Sequence, residues 1–410
     1  MGGYRTRTGV LIPDAVEMDK LIDCGLGAPV FSLEEAFLQV LGQSLGARGI
    51  MAQGDVLTQT IDGRDLNEMW NDFIRALNAF NTRRSQIVDL LSFGVSQPVE
   101  DVPQVAGDDF EEASEYGLPK KIRGGDFFNL AYDFKWYDLG VGFTWQFLAE
   151  STAQQVDSVN NQVFEADNRL MFSKVLKRIF NNTGGTTVIR KNQFNVYPFY
   201  NGDATVPPPW KTTVHTAPHN HYLALGVPPL TSADLDAMED HLKHHGYGRQ
   251  NGSRLLMLVN SAELAVIRNF RVATGSGYDF IPAAGQPPWL LPSNTGGVVI
   301  PQGLGIPANI GGIEIAGRYG SWLIAEEDYI PAGYLLGFAT GGDNQATNPV
   351  GIREHQNAGL RGLRIVKGRD PDYPLIDSYY QRGFGTGVRH RGAGVVGQLA
   401  ASYTIPTAYV

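Results

Sequence analysis

Residues 109 to 185 read DFEEASEYGLPKKIRGGDFFNLAYDFKWYDLGVGFTWQFLAESTAQQVDSVNNQVFEADNRLMFSKVLKRIFNNTGG, and the order of textures in that stretch decides the fold. An acidic loop broken by Gly117 and Pro119 leads into an aromatic, alternating segment, and that segment leads into one helix. Thr152-Ala153-Gln154-Gln155 opens the helix, and Val156, Val159, Val163, Ala166, Leu170, Val175 and Ile179 give it an apolar stripe that Phe172, Leu176 and Phe180 widen toward its end. Lys174, Lys177 and Arg178 complement the dipole in the last turns, and Asn181-Asn182-Thr183-Gly184-Gly185 supplies residues that tolerate a left-handed cap. The resulting helix of about thirty residues far exceeds the mean of about 11–12 for globular helices and measures roughly 45 Å. A long solvated hairpin fused to an oversized helix has little to pack against in its own chain, so neighbouring copies are expected to supply the missing surface.

The remainder of the chain bounds the function classes. Its 410 residues suffice for two or three packed units, and 43% hydrophobic with 18% charged residues describes a globular protein with a large core. Forty-nine glycines and 23 prolines indicate many turns and extended segments. A net charge of −9 argues against a chain that grips nucleic acid, which calls for a basic excess, although it leaves room for proximity to it. Cys24 is the single cysteine, which excludes a disulfide framework and suits assembly in a reducing cytoplasm. No apolar run approaches the roughly 18 residues of a membrane span, and MGGYRTRTGVLIPD lacks a signal-peptide core, so a soluble protein without a membrane partner is expected.

Along the chain, residues 1 to 31 read as an extended arm. Ser32-Leu33-Glu34-Glu35 is a capping box that opens a helix through about Ala47. After a linker, Asp65-Leu66-Asn67-Glu68 starts a helix whose apolar positions (Leu66, Met69, Trp70, Phe73, Ile74, Leu77, Phe80, Ile87, Leu90) carry it to about Leu91. Residues 93 to 148 form the hairpin region, and residues 186 to 347 read as mixed α/β. In that region Thr231 starts a helix to about His245, Ser261 caps a short helix to about Phe270, and Arg254–Val259, Gly312–Ala316, Trp322–Ala325 and Tyr334–Phe338 are strands. Two late β-like runs follow, Leu360–Val366 and Tyr379–Val396.

Candidate chemistry is sparse. His219 and His221 lie close together, and His241, His244 and His245 follow a helix; His241 and His245 sit at i, i+4 and share a face, as zinc ligands can. No HExxH occurs, and histidines at a helix C-terminus are favoured by the dipole alone, so a solvated face, with no metal and no cofactor, is the expectation. An enzyme built on these histidines is the rival reading. Gly383-Phe384-Gly385-Thr386-Gly387 lacks the following helix that a phosphate loop needs and reads as a kinked strand. GxxxxGK[ST] and GxSxG are both absent. Asp108, Asp109, Glu111, Glu112 and Glu115, with Lys120, Lys121 and Arg123 beside them, read as a charged loop that meets its complement on a neighbouring copy. The aromatic residues Phe127, Phe128, Tyr132, Phe134, Trp136, Tyr137, Phe143, Trp145 and Phe147 suit sheet core on one face and an interface on the other.

The phrases Phe110-Glu111-Glu112-Ala113, the helix end at NNTGG, Gly311-Gly312-Ile313 through Ile330-Pro331-Ala332-Gly333 to Phe338, and Tyr380-Gln381-Arg382-Gly383-Phe384-Gly385-Thr386-Gly387-Val388 carry a resemblance. In this order they resemble the major capsid proteins of tailed double-stranded DNA bacteriophages, whose HK97-like α+β fold is shared with encapsulin shells. The resemblance covers most of residues 93 to 400.

It implies a helical N-terminal arm (1–92), an extended hairpin loop lying over an adjacent subunit (93–148), a spine helix with the first part of a peripheral domain (149–189), an axial domain (190–345), the second part of the peripheral domain (346–400) and a C-terminal tail (401–410). It also implies a structural protein without enzymatic activity. Such a protein self-assembles through pentamers and hexamers into an icosahedral shell around viral DNA, with portal and scaffold or minor capsid proteins as partners, and is located in the virion after assembly in the host bacterial cytoplasm. Inter-subunit contacts fall to Phe110, Glu111, Glu112, Glu115, Lys120, Lys121, Arg123, Trp136 and Tyr137. Some members weld subunits through a lysine–asparagine isopeptide bond assisted by a glutamate; Lys120 or Lys121, Asn344, Asn348 or Asn357, and Glu354 are the positional counterparts. An encapsulin-like nanocompartment shell is the alternative within the same fold.

Overall fold

The computed structural model describes residues 3–5, 11–13, 59–82, 86–103, 110–113, 115–118, 121, 127–211, 213–248, 252–283, 306–367 and 377–410. The chain divides into two units, Met1–Thr58 and Gln59–Val410. In the first unit, strands β1 (Gly3–Arg5) and β2 (Leu11–Pro13) pair antiparallel. The helix expected from Ser32 to Ala47 lies outside the described residues.

The second unit begins with α1 (Leu66–Thr82) and α2 (Gln86–Leu91). The single helix expected over 65 to 91 is therefore two helices. Strands β3 (Ser92–Val95), β4 (Val99–Pro103), β5 (Phe127–Ala131) and β6 (Lys135–Gly142) follow, then α3 (Trp145–Glu150) and the long α4 (Ala153–Phe180) of 28 residues. Thr152 and Gln155 form the capping box that starts α4, and the Asn181 backbone N–H donates to Lys177 O at its end. Beyond it lie the hairpin β7 (Gly185–Ile189) and β8 (Asn192–Val196), β9 (Tyr222–Ala224), α5 (Ser232–Lys243), β10 (Arg254–Val259) and α6 (Ser261–Ile267). Next come β11 (Ile281–Pro282), the pair β12 (Asn309–Ile310) and β13 (Ile313–Glu314), β14 (Gly317–Tyr319), β15 (Trp322–Glu326) and β16 (Tyr334–Thr340). The chain closes with β17 (Val350–Glu354), β18 (Leu363–Lys367), β19 (Asp377–Val388) and β20 (Gly394–Gln398). None of the described helices is long and apolar enough to cross a membrane.

Two sheets organise these elements. Seven strands run in the order β11-β14-β15-β10-β16-β20-β9, and a second sheet is built on β19, which takes β18, β17 and β6 antiparallel while β3 lies parallel beside β17. Strand β10 shows why its sequence, RLLMLV, is continuously apolar. Leu256 and Leu258 enter one core with Val175, Leu176, Ile179 and Phe180 of α4, whereas Leu255, Met257 and Val259 enter another with Leu235, Met238 and Leu242 of α5 and Leu264 of α6. Both faces of the central strands are buried, so alternation disappears from the sequence. A third, smaller core joins Phe73 and Leu77 of α1 to Val163 of α4, Leu363 of β18 and Tyr380 of β19.

Three expectations need correction. The hairpin proper is β4 paired with β5, Val99 opposite Ala131 and Pro103 opposite Phe127. The aromatic strand β6 instead joins the β19 sheet, with Trp136 opposite Gly383 and Tyr137 opposite Arg382. The run Tyr379–Val396 is two strands that enter different sheets. Between them buried Arg391 turns away to bond Pro198 O at 2.9 Å and Asp203 Oδ2 at 2.7 Å, and β20 then pairs with β16 and β9, so residues 346 to 400 do not keep to one sheet. Residues Ala358–Leu360 form a 3₁₀ turn, which delays β18 to Leu363.

The glycines of β19 have a steric reason. A Cβ at Gly385 would lie 1.5 Å from the backbone oxygen of Asp133, and one at Gly383 would meet the Trp136 ring at 2.4 Å. The chain from Tyr132 to Trp136 is laid so close against β19 that a methyl group on those positions has no room. Gly385→Ala is expected to lower the melting temperature of the unassembled subunit by several degrees, because backbone cannot yield as a side chain can. Gly140→Ala on β6, where a Cβ meets nothing within 4 Å, serves as the silent comparison; equal melting temperatures for the two variants would contradict the close approach.

Candidate functional site

The acidic loop between β4 and β5 offers its side chains to solvent. Phe110 is 105% exposed and Tyr116 and Leu118 are each 93% exposed, and Glu111, Glu112, Glu115 and Lys121 are exposed beside them. Lys120 and Arg123 lie outside the described residues. Three large apolar side chains within nine positions of one another are thus immersed in solvent in the subunit.

Trp136 and Tyr137 occupy a different place, on β6. Trp136 is 42% exposed, with the Arg364 guanidinium 5.5 Å from its ring centroid and the Phe134 ring edge-on at 5.3 Å. Tyr137 is half-buried, its ring 5.3 Å from that of Phe384 and beneath the Lys174 ammonium. Burial, with the Asp133 carboxylate nearby, pushes the Tyr137 hydroxyl above the ordinary tyrosine range. Position 136 thus presents an aromatic face outward while position 137 seals the sheet.

The asparagines separate in the same way. Asn348 is wholly buried; its Nδ2 donates to Asp89 O at 2.9 Å, Ser92 O at 3.0 Å and Gly342 O at 2.9 Å, and its Oδ1 accepts from Thr340 Oγ1 and Gly341 N. This amide is an internal tie between α2, β3 and the β16–β17 turn, and within the subunit it is not presented as an acceptor for a lysine from another copy. Asn357 caps the 3₁₀ turn, accepting from Gly359 N at 3.0 Å, and is exposed. Asn344 accepts from Gly94 N at 2.9 Å, and Glu354 is half-buried at the end of β17.

The histidines differ most from expectation. Helix α5 ends at Lys243 with His244 as its cap, so His241 and His245 do not share a helical face. His215 and His219, from the irregular segment between β8 and β9, instead meet His244 and His245, with one ring nitrogen of each lying within 4.8 Å of the others. His219 Nδ1 is 3.0 Å from His244 Nε2 and 3.1 Å from His245 Nε2, and buried His221 brings its Nε2 to 3.0 Å from His245 Nε2. The rings are buried or half-buried, and the solvated-face reading does not describe them. Burial first, then the neighbouring imidazoles, depresses the pKa of His219 to about 4 and holds His245 well below the ordinary range. Burial likewise takes His221 to about 3 against the raising effect of its bond to Gly394 O. Sequence reasoning noticed five of these rings but not His215, for which no local signal exists.

No family model and no curated protein matches the sequence. Among solved structures, one described as Mycobacterium phage Patience is 39% identical, covering 93% of this chain and 98% of its own, with a TM-score of 0.66. The mature capsid of bacteriophage PhiM1 is 9% identical over 78% of this chain and 88% of its own, with a TM-score of 0.45. The encapsulin of a holo-SrpI complex from Synechococcus elongatus is 11% identical over 88% of this chain and 97% of its own, with a TM-score of 0.39.

Replacing Asn348 by Ala removes its donation to one buried and two part-buried carbonyls and is expected to destabilise the subunit by about 3 kcal/mol. Asn357→Ala loses one exposed cap and is expected to cost about 1 kcal/mol or less. Urea unfolding of the two variants checks the order; equal costs would refute the assignment of Asn348 as the internal tie.

Proposed function

The chain belongs to the HK97-like major capsid proteins of tailed bacteriophages, and from that premise we propose that the acidic loop between β4 and β5 is the arm by which each copy grips the next. The protein is a structural component of the phage capsid shell. The observation that carries the finer reading is the immersion of Phe110, Tyr116 and Leu118 at 93% exposure or more. Each gains about 1.5–3 kcal/mol when a neighbour covers it. Glu111, Glu112 and Glu115 then meet basic groups of that neighbour, Lys120, Lys121 and Arg123 meet acidic ones, and the outward face of Trp136 lies in a second contact.

In this proposal α4 and the β19 sheet form the peripheral domain and the seven-stranded sheet forms the axial domain, with residues 394–398 assigned to the latter by their pairing with β16. One chain occupies both five-fold and six-fold surroundings as pentamers and hexamers, assembled in the host cytoplasm with portal and scaffold or minor capsid proteins. A net charge of −9 keeps the wall from gripping packaged double-stranded DNA, which a basic surface would hold through its phosphates. The role is architectural, without catalysis. A cross-link through Lys120 or Lys121 finds its exposed counterparts in Asn344 and Asn357 rather than in buried Asn348.

The test is assembly of the purified full-length chain, followed by negative-stain microscopy and light scattering. Wild-type protein is expected to form closed particles or capsomers. The double variant Phe110→Ser, Tyr116→Ser is expected to keep its melting temperature, since both side chains are solvated in the subunit, while losing most of its particle yield. Wild-type particle yield from the double variant would refute the arm assignment, and a wild-type monomer at every concentration would refute the shell itself.

A further inference from the structure

We propose that His215, His219, His244 and His245 form a binding site for one late first-row divalent cation of the zinc class, stapling the irregular segment between β8 and β9 to the end of α5. This goes beyond the shell-forming role and rests on the side-chain geometry alone.

The first ground is spacing. Zinc bound by imidazole at about 2.0–2.1 Å in a tetrahedron places its ligand nitrogens about 3.3–3.4 Å apart. His219 Nδ1 already lies 3.0 Å from His244 Nε2 and 3.1 Å from His245 Nε2. The His215 ring, with its centroid 4.7 Å from that of His219 and 4.9 Å from that of His245, completes a group whose ligand nitrogens all fall within 4.8 Å. Small ring rotations bring such a set onto one centre.

The second ground is that neutral rings do not satisfy the cluster. His244 Nδ1 donates to Asp240 O at 2.5 Å and His221 Nδ1 donates to Gly394 O at 2.7 Å. In the neutral rings this leaves a bare lone pair on each Nε2. Of the three short nitrogen–nitrogen contacts, His219 Nδ1–H can serve His244, and His245 Nε2–H can serve His221. The 3.1 Å contact between His219 Nδ1 and His245 Nε2 then sets two N–H groups against each other. Reversing either proton only moves the conflict. His215 Nε2, moreover, is buried with no hydrogen-bond partner among the described residues. A cation that accepts lone pairs from His215, His219, His244 and His245 takes away the two facing N–H groups and gives the His215 ring a partner, while His221 Nε2 gives up the hydrogen that His245 supplied.

The third ground is the surrounding shell. A backbone carbonyl orients His244 through its second nitrogen, as metal-binding imidazoles are usually held. His245 is fixed by the stacked Tyr200 ring, 5.6 Å away at an interplanar angle of 24°. Four imidazoles without a carboxylate favour zinc and its neighbours over calcium or magnesium, and four protein ligands describe a closed structural site rather than one with a position open for water. Among its described residues the segment it would fasten holds two isolated bridges, Asn201 to Asn220 and Trp210 to Thr213, beside the Arg391 bonds to Pro198, Asp203 and Thr205, so a staple there stabilises what the sheets do not reach.

The experiment uses the untagged full-length chain, stripped with a chelator and re-equilibrated with Zn²⁺. We expect about one Zn²⁺ per chain by elemental analysis and a higher melting temperature in the loaded protein. Co²⁺ in place of Zn²⁺ should show the intense visible absorption of tetrahedral coordination. His219→Ala and His244→Gln should each weaken Zn²⁺ binding by at least about 100-fold, whereas His241→Ala should leave it unchanged. Should a variant fail to fold, the stripped and loaded wild-type proteins still decide the matter. A wild-type chain that retains no Zn²⁺ and melts at the same temperature with and without it overturns the site, as does zinc binding that survives both His219→Ala and His244→Gln.

Discussion

The second half of α4 is buried by both sheets at once, and this single constraint orders the rest of the second unit. Val175, Leu176, Ile179 and Phe180 have no exposed surface, and they share a core with β10, β16 and β20 of one sheet and with β17 and β19 of the other. A helix claimed from two directions cannot pivot toward either sheet without opening a cavity against the other, at a cost of several kcal/mol for residues of this size. Where the helix leaves that shared core, buried Asp167 bonds Arg382 of β19. Burial pushes the Asp167 carboxyl upward and the guanidinium opposes it. The pair is read as ionised, because an arginine does not surrender its proton and the two groups are in hydrogen-bonding contact. A buried pair of this kind adds little net stability over an apolar substitute but penalises every other register strongly. It therefore fixes where α4 sits along β19.

Local signals in the sequence were read correctly because their physics is local. The Thr152 opening and the Thr231 start depend on residues three or four positions apart, and both stand in the structure; the helix stops at Asn181 as expected, but with that residue extended (φ −78°) and not left-handed. The apolar run of β10 is legible for the same reason. What could not be read is the destination of each strand. Nothing near Val388 announces that the chain will leave one sheet and enter the other. The cause is Arg391, bonded to Pro198, Thr205 and Asp203 nearly two hundred positions earlier, with its guanidinium over the rings of Phe128, Tyr197 and Tyr200. Asn348 likewise resembles any exposed loop amide until Asp89 and Ser92 close around it.

The histidines show a reading misled by a rule applied one turn too far. The i, i+4 relation of His241 and His245 holds only while the helix continues, and α5 stops at Lys243. Past that point the backbone turns, Gly246 adopts φ +87° against the Trp210 ring, and His245 swings toward a segment some 24 to 30 positions earlier in the chain. The residues that matter are thus gathered by a helix terminus and an irregular loop, two features with no periodicity to reveal them.

With the acidic loop as the arm proposed above, the contrast between it and the core of the subunit fits a chain that builds a shell. A shell requires each copy to keep its own shape while meeting neighbours at more than one angle. The shared core around α4 supplies the first requirement, since rigid packing resists deformation. In the proposed arrangement the loop supplies the second, because Phe110, Tyr116 and Leu118 are exposed in the subunit that carries them. Each such side chain contributes only about 1.5–3 kcal/mol when covered, little enough for a misplaced copy to dissociate. On that proposal the same contacts, repeated around the neighbours of each copy, sum to a stable wall. Correct placement thus depends on contacts that are weak singly, and permanence depends on their number.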